Sequence, residues 1–164
     1  MVAMMVLSAV LAAQDPSHSH VRSTEPMIRT LIEKGIAESD TFRTLVATLD
    51  QSDVVVYVDQ KVTRETLGGY LSHDVLNAGG VRYLHIALNL RGGDIRLVSL
   101  LAHELQHAVE VSQDPGVRDA RAVARLFLRI ASRAACGHDG CSETDAALRV
   151  QDLVEADLKS TSTR

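Results

Sequence analysis

Along most of the chain apolar positions recur at helical spacing, and one central block switches to β-branched and alternating residues. From Pro26 to Leu49, Met27, Leu31, Ile32 and Ile36 mark a helical stripe, and Ser39-Asp40 divides it in two by capping the second helix. Asp53 to Asp59 is a Val-rich run bounded by polar residues, the pattern of a strand buried on both faces. Thr66 to Val75 and Val81 to Leu90, joined by Asn77-Ala78-Gly79-Gly80, predict a β-hairpin. In its second strand Arg82 alternates with Leu84, Ile86, Leu88 and Leu90 on an inward face, leaving Tyr83, His85 and Asn89 on the other. Ile95 to Val109 is a run of helix formers apolar on most sides, opened by Gly92-Gly93-Asp94 and closed by Asp114-Pro115-Gly116. Val117 to Ala135 predicts a helix with Val123, Leu126, Phe127 and Ile130 buried, and with Arg118, Arg121, Arg125, Arg129 and Arg133 as its solvated face. Thr144 to Leu158 predicts a last helix through Ala146, Leu148, Val150, Leu153, Val154 and Leu158. The expectation is an α+β fold: N-terminal helices, a small sheet of about three strands, a central helix and two C-terminal helices. It occupies one domain over residues 26–158, preceded by a polar linker over 14–25 and followed by a disordered tail over 159–164.

Composition sets bounds on this picture. A chain of 164 residues with 46% hydrophobic content buries one core. A formal charge of −4 and 3% aromatics without Trp give neither the electrostatics nor the stacking surface for a nucleic-acid partner. Residues 1–13 are apolar like a signal-peptide core, and Val10-Leu11-Ala12 offers a cleavage site, which predicts a secreted or periplasmic protein. The segment lacks a basic leading region, so a cytoplasmic location stays open, and it is too short to span a membrane. Cys136 and Cys141 form an even pair in Cys-Gly-His-Asp-Gly-Cys, which in an exported protein predicts a disulfide; with His138, a second metal site is the weaker alternative.

The chemistry concentrates in His103-Glu104-Leu105-Gln106-His107. On a helix the two histidines stand one turn apart and about 40° round, so both imidazoles can bind one Zn²⁺. Glu104 lies about 100° from His103, where its carboxylate can take a proton from a metal-bound water. With seven His in the chain, random placement yields this pattern in roughly one to two chains per hundred, so context decides. Here the context is a helix predicted to be buried, where two histidines and a glutamate without partners are costly and a metal supplies the partner they share.

With this motif the chain resembles the zincin superfamily of zinc metallopeptidases, and His-Glu-Leu-Gln-His-Ala-Val-Glu is similar to small bacterial secreted proteins that carry it. A looser likeness of element order extends from Pro26 to Leu158. The resemblance implies a minimal zincin-like domain holding one Zn²⁺ per chain, with Glu104 as general base in hydrolysis of a peptide or protein substrate. It also implies a third zinc ligand downstream. Glu143, 36 residues after His107, resembles the helical glutamate of gluzincins, although Ser142 and Ala147 stand where the best-known members carry Asn and Asp. Glu110, Asp119 and His138 remain alternatives. Glu110 sits about 7.5 Å along the axis from the midpoint of the two histidines, a long reach that suits a supporting role better. The likeness further puts the polar face of the second hairpin strand beside substrate, with Tyr83, His85 or His73 as oxyanion donor. A non-catalytic, zinc-stabilised interaction protein is the rival function, and the two differ in whether Glu104 has work to do.

Overall fold

The computed structural model describes residues 19–61, 68–132 and 143–162. The apolar N-terminus, Arg133, Cys136, His138 and Cys141 fall outside them. Two helices open the fold, α1 (Pro26–Glu38) and α2 (Asp40–Asp50). Pro26 suits the first turn because it has no N–H to satisfy there. Ser39 makes the expected break: its backbone is extended and its Oγ accepts the Phe42 N–H at 3.1 Å.

The sheet is larger than the three strands expected. It has five, β1 (Val21–Arg22), β2 (Val54–Gln60), β3 (Gly69–Leu71), β4 (Leu76–Ala78) and β5 (Val81–Leu88), of which β1, β2 and β5 run parallel. The end of the expected polar linker supplies β1, with Val21 buried against β2; two residues are too few to show a period. The first hairpin strand is broken into β3 and β4, which pair antiparallel with opposite ends of β5 along the same edge. Between them the Ser72 N–H still reaches the His85 carbonyl at 2.8 Å. Gly79 and Gly80 alone make the turn, with φ of +59° and +83°, as a tight hairpin of this type requires, so Asn77 and Ala78 join the strand.

One face of the sheet carries Val54, Val56, Val58, Leu84, Ile86 and Leu88, all fully buried under the helices. Against it lies α3 (Asp94–Ser112), and α5 (Asp145–Ser162) packs on α1, α2 and most extensively α3. This explains why α3 is apolar nearly all round: it is the middle layer. Both C-terminal helices differ from expectation at their ends. Helix α4 (Ala120–Ile130) begins when the Asp119 carboxylate caps Ala122, and stops at Ala131 with ψ of 140°, leaving Arg118 outside it and Ile130 37% exposed. Helix α5 runs on through Lys159–Ser162, residues expected to fray, because Thr161 bonds back to the Glu38 carbonyl and Leu158 is in the core.

Arg82 secures the carboxyl end of α3. It stands on the inward face of β5 with no exposed side-chain surface. Its guanidinium donates to both Asp53 oxygens and to the carbonyls of Val111, Ser112, Asp114 and Val117, at 2.5 to 3.1 Å. Those carbonyls close the helix and the turn after it. Among the described contacts backbone N–H groups reach only Val111, from Asp114 at 3.3 Å, and Asp114, from Val117 at 3.0 Å, and the guanidinium adds a donor to each of the four. The hydrogen bonds from Arg82 hold the Asp53 carboxyl below the usual carboxylate range; burial opposes them, and the charges of Arg82 and Arg118 assist. Because the folded state depresses this pKa, the stabilisation is complete above about pH 4 and is lost as pH falls through the depressed value. Arg82→Met is expected to lower the unfolding free energy by about 3–5 kcal/mol in urea titration and to flatten its acid limb. A loss below about 1 kcal/mol would mean that water serves those carbonyls equally well.

Candidate metal centre

Four ionisable side chains of α3 are buried: His103, Glu104, His107 and Glu110, each 8% exposed or less. The helical period places His103 and His107 on one face, with ring centroids 4.9 Å apart and planes nearly perpendicular. Glu143 meets them from outside the helix. Its Oε2 stands 3.2 Å from His103 Nε2, and the donor atoms of His103, His107 and Glu143 all lie within 4.8 Å of one another. Ligands about 2.0–2.1 Å from a tetrahedral Zn²⁺ sit roughly 3.4 Å apart, so the widest gap must close by only an ångström or so. Glu143, 42% exposed, has the freedom to do this.

Glu143 does not stand in the last helix, as the gluzincin likeness implied it would. It lies two residues before α5, in non-helical backbone, where its carbonyl accepts the Ser132 N–H at 2.8 Å. Thr144 is the residue that caps α5. The alternatives for third ligand fall elsewhere. Asp119 is occupied in capping α4, His138 lies outside the described residues, and Glu110 faces the second nitrogen of His107. His107 Nδ1 and Glu110 Oε2 are 2.9 Å apart, leaving His107 Nε2 for the triad. Among the described residues His103 Nδ1 is buried without a hydrogen-bond partner. The donor chemistry, two imidazoles and one carboxylate, suits Zn²⁺, and the Glu110 contact is the kind that orients a ligating histidine.

Charge within the cluster is strongly differentiated. Burial pulls the His103 pKa down, but the hydrogen bond with Glu143 and the charges of Glu104, Glu143 and Glu110 outweigh it and the pKa is raised. Glu143 is lowered by that same bond, against burial, with the two histidines assisting. Glu104 goes the other way: burial raises it, and His107, His103 and the Leu71 N–H only partly offset the rise. Glycine brings β3 close enough for this. A Cβ on Gly68 would stand 2.8 Å from a Leu100 methyl, and one on Gly69 would stand 3.1 Å from the Ala87 carbonyl oxygen and 3.5 Å from Glu104 Cγ.

The oxyanion candidates divide by sheet face. Tyr83 and His85 alternate with the buried face of β5 and stack with Tyr57 on the side away from α3, so the expectation that they border the site is corrected. His73 stacks instead on Phe127, centroids 6.0 Å apart, and Phe127 meets the edge of His107 at 5.1 Å. Two surface grooves, about 440 Å³ beside Thr44 and Gln106 and about 550 Å³ beside Lys34 and Asp94, include none of the triad. Thr144 and the Leu71 N–H escaped sequence reasoning. A Thr before a helical run is a readable cap, whereas a strand N–H aimed at a helix carries no residue code.

No protein-family model, curated protein or solved structure matches this chain. The site therefore rests on its own geometry. A metal held by the triad would have to displace the proton of His103, whose pKa is raised above the ordinary histidine value in the metal-free protein. One displaced proton is expected to raise the Zn²⁺ dissociation constant by about five- to tenfold from pH 6.5 to 5.5. A pH-independent constant over that interval would contradict the involvement of His103.

Proposed function

We propose that the protein is a zinc-dependent hydrolase, a metallopeptidase of zincin type, with His103, His107 and Glu143 as ligands and Glu104 as general base. The observation that carries this reading is Glu104: a buried carboxylate beside the triad, outside the set of ligands, with its pKa raised chiefly by burial. A closed structural site has no use for such a group. Zn²⁺ in this triad would supply Lewis acidity, acidifying a water and polarising a substrate carbonyl.

The rest of the chemistry belongs to the chain. A carboxylate whose pKa is drawn towards neutrality can accept a proton from the attacking water and return it to the leaving amine. Ionised Glu143, held low by His103, is suited to ligation rather than proton transfer. Glu110 holds the His107 ring, and Phe127 shields it on one side. Of the three oxyanion candidates, His73 alone packs towards the helices, through its stacking on Phe127.

Glu104→Gln is expected to retain Zn²⁺ at wild-type stoichiometry while lowering hydrolysis of a quenched-fluorescent peptide mixture by about 10²–10⁴-fold. A variant that cleaves as fast as the wild type would remove Glu104 from the mechanism. Hydrolysis by neither protein, with zinc retained by both, would favour the non-catalytic zinc protein instead.

A further inference from the structure

We propose that Thr144 is a positioning residue: the N-cap of α5 fixes which nitrogen of His107 faces the metal, so that one buried hydroxyl couples the α3–α5 interface to the ligand set. The proposal rests on the metal reading of the triad. Thr144 is 3% exposed and follows Glu143 directly. Its Oγ1 accepts the Ala147 N–H at 3.1 Å and lies 2.7 Å from Glu110 Oε1.

The direction of the chain of bonds follows from donor counting. A threonine hydroxyl has one proton. The amide of Ala147 can only donate, so it takes a lone pair of Oγ1, and the hydroxyl proton points to Glu110. As a carboxylate Glu110 then accepts at both oxygens, from Thr144 at one and from His107 Nδ1 at the other. His107 consequently carries its proton on Nδ1 and presents the Nε2 lone pair to the triad. Were Nδ1 bare, it would face a carboxylate lone pair, and Nε2 would hold the proton that blocks a metal. The same hydroxyl fixes the start of α5, one residue from the Glu143 carboxylate.

Capping and positioning separate by substitution. Thr144→Ser keeps both roles. Thr144→Gly leaves the helix start almost as stable, since glycine is tolerated at an N-cap, but has no hydroxyl proton to donate to Glu110, and Thr144→Val loses both. Zn²⁺ affinity, measured by chelator competition on the full chain, is expected to fall about 10–100-fold in Thr144→Gly and Thr144→Val and to stay within about threefold in Thr144→Ser. Thr144→Gly matters most, because it removes the donor without adding a charge beside Glu110. Wild-type affinity in both Thr144→Gly and Thr144→Val would overturn the proposal, as would an equal loss in Thr144→Ser. A second readout needs no metal. The ¹⁵N shifts of the His107 ring should report an Nδ1–H tautomer in the metal-free wild type and in Thr144→Ser, and a mixture in Thr144→Gly. An unchanged tautomer in Thr144→Gly would refute the coupling. Failure of the wild type to bind Zn²⁺ would sink the metal reading itself, while the ring shifts would still decide whether Thr144 orients His107.

Discussion

Helix α3 is enclosed on both sides, by the sheet and by α5, yet it carries four ionisable side chains and a carboxyl end that needs donors. Burying such groups without partners costs several kcal/mol each, so the surrounding elements are constrained to answer them. Arg82 comes from β5, on the inward face where an aliphatic residue would otherwise stand, and satisfies the last turn. Glu143 and Thr144 come from the approach to α5 and meet His103 and Glu110. The Leu71 N–H comes from β3, brought close by two glycines, and faces Glu104. The inward placement of Arg82 on β5, the start of α5 and the close approach of β3 all meet at this one helix.

Two glutamates near the triad show how environment separates the roles of identical side chains. Glu143 is partly exposed and bonded to His103, and its pKa is lowered. Glu104 is almost wholly buried and is raised by that burial. Under the proposed function the first would remain an anion and the second would hold and release a proton, the division of labour that acid–base chemistry at a metal requires. Under the proposed reading, the departure from the gluzincin pattern is local: the third ligand stands before its helix instead of within it, and the orienting carboxylate comes from Glu110 on α3.

Much of this was readable from the residues, and what was not has physical reasons. Ser39 signalled its helix break because a capping hydroxyl is a local device, and the stripe of α3 signalled burial on most sides. His103 and His107 fall on one face by helical geometry alone. The juxtaposition of Glu143 with them depends on how α5 packs over α3, which the spacing of residues does not encode; family resemblance pointed there instead. Strand β1 is too short for a period, and β3 and β4 read as one strand because a break in pairing leaves composition unchanged. The alternation of β5 correctly separated Arg82 from Tyr83 and His85. Which face met α3 was nevertheless misjudged, since the polar side invited a substrate and the packing put α3 against the aliphatic one.

The central claim is that His103, His107 and Glu143 hold one metal ion. Zinc content of the purified protein after exhaustive dialysis, compared with His103→Ala and Glu143→Ala prepared alike, tests it most directly. The account predicts one Zn²⁺ per wild-type chain, none in His103→Ala and weakened retention in Glu143→Ala. A folded wild type that neither contains zinc nor keeps added zinc would contradict it and leave the cluster as a buried ion-pair network.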